Sequence, residues 1–257
     1  MAKRSGTTSS RTSGAILAVV RRLLEATTDP ALRQVKTDDI LALLDSAATP
    51  SPPAPDSNGA RPQRWQDQLI EDHIPAGASV LDLGCGNGEL LARLIQRKQV
   101  RGQGIELDSD EIFECVQRGV PVFQANLDLG LSGFADQRFD YVVLEETLQT
   151  LHRPIDVLNE MLRVGRHGIV SFPNFAYWRV RLDLTLGGRM PITERLPYRW
   201  YDTPNIHLFS VQDFLDWASA NGARIVSGHA LCEGQVRKLA DDDNLRAEEV
   251  LMVVEKR

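Results

Sequence analysis

From position 79 onward, apolar and polar residues follow two alternating rhythms. Short apolar runs predict strands at Ser79–Leu83, Val100–Glu106, Val120–Gln124, Phe139–Leu144 and Gly168–Phe172. Between them, helical spacing predicts α-helices over Glu89–Gln99, over Asp110–Arg118 and from Pro154 to about Arg163; Pro154 is suited to the first helical turn. Ser210 is a cap residue for a helix running to Ala220, with strands near Arg224–Ser227 and Val250–Glu255. Strands alternating with helices specify an α/β fold: a mainly parallel sheet with helices on both faces.

The first 63 residues read differently. Residues 1 to 13 are rich in Ser and Thr, carry Lys3, Arg4 and Arg11, and contain no acid. Such a start suits either a disordered tail or an organelle-targeting segment. Ile16, Leu17, Val19, Val20, Leu23 and Leu24 have helical spacing, as do Ile40, Leu41, Leu43 and Leu44, with Thr37 or Asp38 as a cap. Residues 1–47 are therefore expected to form an N-terminal extension with short helices. Residues 48–63, with Pro50, Pro52, Pro53, Pro55 and Pro62, are expected to be an extended linker. The main domain is expected over 64–257.

Composition narrows the function. The chain has 257 residues and a net charge of -6, which argues against broad electrostatic binding to nucleic acid or to anionic lipid. No apolar run approaches the ~18 residues of a membrane span. Cys85, Cys115 and Cys232 form no paired-cysteine motif and read as reduced thiols of a cytoplasmic protein. No metal-ligand spacing is present, and no residue is singled out as catalytic. His152 and His207 read as ordinary hydrogen-bonding residues.

The most informative run is Val80-Leu-Asp-Leu-Gly-Cys-Gly-Asn-Gly88. Gly84, Gly86 and Gly88 allow a sharp turn from strand to helix and close approach of a ligand. Asp82, two residues before the first glycine, is unsuited to a pyrophosphate and suited to a cation or an amino group. The next strand ends in Gly104-Ile-Glu106, which places a carboxylate where it can accept both hydroxyls of a ribose. A tight turn without a ligand accounts for the same glycines. Together with Glu106, though, these residues resemble the first two motifs of class I S-adenosylmethionine-dependent methyltransferases. That resemblance implies a Rossmann-like methyltransferase sheet. It implies a pocket for S-adenosylmethionine or S-adenosylhomocysteine, with Gly84, Cys85 and Gly86 along the methionine portion and Glu106 on the ribose. Asn126 and Leu127 follow the third strand, where an acid usually meets the adenine amino group. Glu145 and Glu146 lie at the end of the fourth strand, as cofactor-facing groups or as solvated helix-cap carboxylates.

Seven of the sixteen aromatic residues lie between Phe172 and Tyr201, interleaved with Arg179, Arg181, Arg189, Arg195 and Arg199. A lid over the pocket, a protein-binding surface and a substrate pocket all fit this composition. Asp183, Glu194 and the acidic chain speak against RNA. The strings Asn126–Leu131, Glu146-Thr-Leu-Gln149, Glu160–Val164, Ser171-Phe-Pro-Asn-Phe175, Gly188-Arg-Met-Pro191 and Leu196–His207 are similar to the methionine biosynthesis protein MetW family, over about Arg64 to Ile225. The resemblance implies a partner role: binding S-adenosylmethionine or its product and activating homoserine O-acyltransferase. The suggested docking surface is Phe172–His207, including Trp178, Trp200 and Tyr201. The alternative is a methyltransferase acting on an unidentified small molecule.

Overall fold

A computed structural model describes residues 64–256. The extension and linker expected over 1–63 lie outside the described residues. The elements run α1 (Trp65–His73), β1 (Ser79–Leu83), α2 (Glu89–Lys98), β2 (Arg101–Glu106), α3 (Ser109–Gln117), β3 (Val122–Gln124), β4 (Phe139–Glu145), α4 (Pro154–Val164), β5 (Gly165–Pro173), α5 (Trp178–Gly187), α6 (Val211–Ala220), β6 (Ala223–Cys232), β7 (Gln235–Lys238), α7 (Asp243–Arg246) and β8 (Glu249–Lys256). The strands form one sheet in the order β3-β2-β1-β4-β5-β8-β6-β7. β1 to β5 pair in parallel, whereas β8 runs antiparallel to both β5 and β6.

Strand alternation divides the core between the two faces of the sheet. Leu81, Leu83, Val142, Leu144, Val170 and Met252 pack under α4 and α6. Val80, Val143, Ile169, Leu251 and Val253 face α1 and α2. The local signals behave as read. Pro154 opens α4, and Ser210 caps α6 in a reciprocal box with Asp213. Four elements were not anticipated: α1, α5 inside the aromatic segment, the hairpin strand β7 and the short helix α7. α1 escapes a periodicity reading because its buried positions include the polar Gln66, Asp67 and Glu71.

Strand order reverses at β1, since the chain passes from β3 back across to β4. In open sheets of this kind the crevice lies at the carboxyl ends of the strands flanking the reversal. Here those ends carry Asp82, Glu106 and Glu145. The antiparallel β8 begins where the parallel strands finish, and Glu249 lies in register with Pro173 at the same edge.

Candidate functional site

Gly84, Gly86 and Gly88 all have left-handed backbones, with φ of 76°, 52° and 75°. The turn is fastened to β2 by Gly84 and Cys85 N–H donating to the Ile105 carbonyl at 2.8 and 3.1 Å. A Cβ on Gly84 would sit 2.7 Å from Thr147 Oγ1. Glycine is thus required by space as well as by φ. Glu106 orders the turn from the other side. Its Oε2 accepts from Gly86 N–H at 2.8 Å, and its Oε1 accepts from Leu107 and Asp108 N–H at 2.7 and 3.0 Å. Cys115 Sγ donates to the Gly86 carbonyl at 3.0 Å and lies 3.9 Å from Cys85 Sγ.

Two cavities meet at this turn, sharing Gly84 and Thr147. The first, about 210 Å³, is walled by Asp82, Cys85, Gly86 and Glu145, with Arg64 and Asp67 of the α1 end across from them. Arg64 Nη1 lies 3.5 Å from Glu145 Oε2 and 3.8 Å from Glu146 Oε2. The second, about 400 Å³, combines Glu106 and Asn126 with the apolar Ile105, Leu107 and Leu127. Asn126 Oδ1 also accepts from Asp128 N–H at 2.9 Å, capping the turn at Leu127–Leu129.

All eight residues expected at the cofactor pocket therefore line one of the two joined cavities. The reading of Glu145 as a solvated helix-cap carboxylate is corrected, whereas the Glu146 side chain is 36% exposed. The Glu145 side chain is 10% exposed and closes a buried strand end. Arg64, Asp67 and Thr147 were missed. Arg64 had only the signal of preceding a short amphipathic run, and Thr147 had none beyond its place after β4.

Among the described residues, the first cavity's lining has more acceptors and negative charge than its one guanidinium can balance. Burial pushes the Asp82 carboxyl well above its usual range, the Glu145 charge adds to the shift, and Arg64 opposes it. Glu145 is pushed up to about 7, chiefly by burial and against the pull of Arg64. Its Oε1 is buried with no hydrogen-bond partner. These groups fit a ligand that brings a cation and N–H donors.

The stability consequence has a definite sign. A carboxyl at 4.5 in the unfolded chain and about 7 in the fold binds more protons when native, so stability falls as pH rises between those values. Glu145→Gln removes that loss. The variant is expected to exceed the parent at pH 8 by up to about 3 kcal/mol and to match it near pH 5. Urea denaturation at the two pH values is the check, and parallel parent and variant curves would contradict the assignment.

The aromatic segment divides into buried and exposed parts. Phe172 is fully buried against Phe209 and Phe214, so its expected place on a docking surface is corrected. Trp178 is half-buried against Tyr177. Trp200 and Tyr201 are 76% and 64% exposed, with Met190, Tyr198, Ile206 and Leu208 also open to solvent.

Residues 64–254 match the family described as methionine biosynthesis protein MetW. The chain belongs to the MetW family. Over 159 residues it is 42% identical to the bifunctional methionine biosynthesis protein MetXA/MetW of Rhodopirellula baltica. That match covers 58% of this chain and 26% of the relative, so the chain spans about a quarter of that protein's length. Among solved structures, an S-adenosylmethionine-dependent methyltransferase from Thermotoga maritima matches with a TM-score of 0.56 at 18% identity, over 75% of this chain and 87% of that one. The [4+2]-cyclase SpnF matches with a TM-score of 0.54 at 17% identity, over 84% and 93%. These likenesses establish the class I methyltransferase fold for this MetW-family chain. A cyclase on the same fold illustrates that chemistry must be argued from the site.

Proposed function

We propose that this domain binds S-adenosylmethionine, or its demethylated product, across the two joined cavities and activates a homoserine O-acyltransferase docked on its exposed aromatic segment. The residues suit the cofactor in kind. The methionine ammonium would meet Asp82 and Glu145, its carboxylate Arg64, the ribose hydroxyls Glu106, and the adenine the Leu107 and Leu127 side with Asn126. When bound, the cofactor supplies a methyl group on a sulfonium. The chain's own part is to orient it, to counter its charge and to shield it.

The single observation behind the partner reading is the Rhodopirellula baltica relative, in which MetXA and MetW share one chain. Fusion holds two modules at high effective concentration, which serves partners that work in contact. The open rings of Trp200 and Tyr201 and the shallow hollow beside them, lined by Phe175, Met190 and Leu196, offer the aromatic anchors typical of interface hot spots.

The deciding experiment assays the homoserine O-acyltransferase of the same organism with and without an equimolar amount of this chain, each with and without S-adenosylmethionine. A large stoichiometric rise in rate is expected. An unchanged rate with folded protein would remove the partner reading. A second reading, methyl transfer to a small molecule, is favoured by a third cavity beside the first two. It predicts release of S-adenosylhomocysteine dependent on a metabolite.

A further inference from the structure

The third cavity, about 240 Å³, shares Glu146 with the first and Thr150 with the second. It lies over the ends of β4 and β5 and the start of β8, and the loop carrying Glu194, Arg195, Tyr198 and Asn205 covers it. Its volume is below the ~300–1,000 Å³ of sites for drug-sized ligands, so a small metabolite is the right scale.

Its polar lining leaves an acceptor and a donor unmet: Gln149 Oε1 and Arg195 Nε are both buried without a hydrogen-bond partner. Gln149 is 5% exposed, and its Nε2 donates to the Glu146 carbonyl at 2.7 Å. A carbonyl only accepts, so the amide orientation is determined, and Oε1 is the buried acceptor left without a partner. Glu146 stands beside it on a left-handed backbone, φ 48°, a strained conformation for a residue with a side chain. Glu249 is 1% exposed and receives Trp65 Nε1–H at 2.8 Å and the Gln66 amide. Arg195 is the one cation among the lining residues, and Glu194 at 3.3 Å and Glu249 at 3.8 Å already flank it. Among the described lining residues three carboxyl groups stand against one guanidinium; from outside the cavity, Glu146 also has Arg64 at 3.8 Å and accepts from Gln66 Nε2 at 3.1 Å. Burial and the nearby Glu146 push the Glu249 carboxyl well up. Pro173, Pro197 and Pro204 make stiff walls, and the Tyr198 ring offers a π face to a cation.

We infer that this cavity binds a small molecule bearing a primary ammonium group, held by Glu146 and the Gln149 carbonyl oxygen beside the Tyr198 ring. An ammonium brings three N–H donors and one positive charge, which answer the unpartnered Gln149 acceptor and the excess of carboxyls. The cavity's place next to a cofactor rests on the function proposed above, whereas its preference for a cation does not. The ammonium has two sources in chemistry, an α-amino acid or a simple amino alcohol. Arg195 separates them, because only the first brings a carboxylate to that guanidinium.

The test is calorimetric titration of the full chain with L-homoserine, 3-aminopropan-1-ol and 4-hydroxybutyrate, the last matched in size but without an amine. S-adenosylhomocysteine is titrated in parallel. Saturable binding of at least one amine is expected, with none for 4-hydroxybutyrate. Gln149→Leu and Glu146→Gln should each weaken the amine at least tenfold. Tyr198→Leu, at the half-open rim, should weaken it severalfold in a chain that folds normally. A homoserine preference lost in Arg195→Gln marks the amino-acid source, and equal binding marks the simple amine. The inference is overturned if the amines bind no better than 4-hydroxybutyrate. It is equally overturned if all three variants bind amine as the parent does. Failure of S-adenosylhomocysteine with amine binding intact would count against the cofactor reading alone.

Discussion

Glu106→Ala is expected to reduce affinity for S-adenosylhomocysteine by at least about a hundredfold, measured by calorimetry on a chain whose circular dichroism is unchanged. Two effects combine. A carboxylate accepting from two ribose hydroxyls contributes ~1.5–3 kcal/mol for each charge-assisted bond, and a hundredfold is ~2.7 kcal/mol. Glu106 also holds the turn in shape, through Gly86 N–H at 2.8 Å and through the two amides that follow it, Leu107 and Asp108. Alanine leaves those three amides without their acceptor, and the glycine turn keeps only the Ile105 carbonyl as its tie to the β2 end. Glu106→Gln keeps one acceptor oxygen and no charge, so a smaller loss, near tenfold, is expected. Binding of the alanine variant within threefold of the parent would mean that the ribose is held elsewhere.

The second large effect concerns the partner. Trp200→Ala with Tyr201→Ala is expected to weaken the acyltransferase complex by about 30- to 1,000-fold, the ~2–4 kcal/mol typical of aromatic hot spots. Activation should fall in parallel. Both rings are largely exposed and contact each other edge-on, with centroids 5.5 Å apart. Removing them should therefore change the stability of this chain by less than about 0.5 kcal/mol. Binding of S-adenosylhomocysteine should be untouched, since neither residue lines the joined cavities. Phe113→Ala provides the control: that ring is 63% exposed on α3, outside the aromatic segment, and its loss should leave activation unchanged. Complex formation that survives the double substitution would move the docking surface off this segment.

Fold and site were legible in unequal measure. The apolar runs at Ser79–Leu83 and Phe139–Leu144 carry their strand signal within a few residues, because a central parallel strand is buried on both faces. The glycine turn is equally local: three left-handed positions within five residues leave few alternatives to glycine. Glu106 could be placed because strand length and parallel pairing carry the end of β2 to the level of Gly86. Phe172 misled for a related reason. Aromatic composition announces burial or recognition alike, and only packing against Phe209 and Phe214 assigns this ring to the core.

The sequence by itself determined the parallel α/β order, the turn with its two flanking acids, and the family. All of these rest on contacts between neighbours in the chain or on motifs of a few residues. Only the tertiary structure decided what surrounds Glu145 and Glu146. Arg64 arrives on a helix whose polar buried face hides its periodicity. Glu249 arrives on an antiparallel strand, 184 residues from the Trp65 that donates to it. No local propensity encodes such a meeting. It follows from sheet order, which starts β8 where β4 and β5 end and so closes the third cavity with a carboxyl from the far end of the chain.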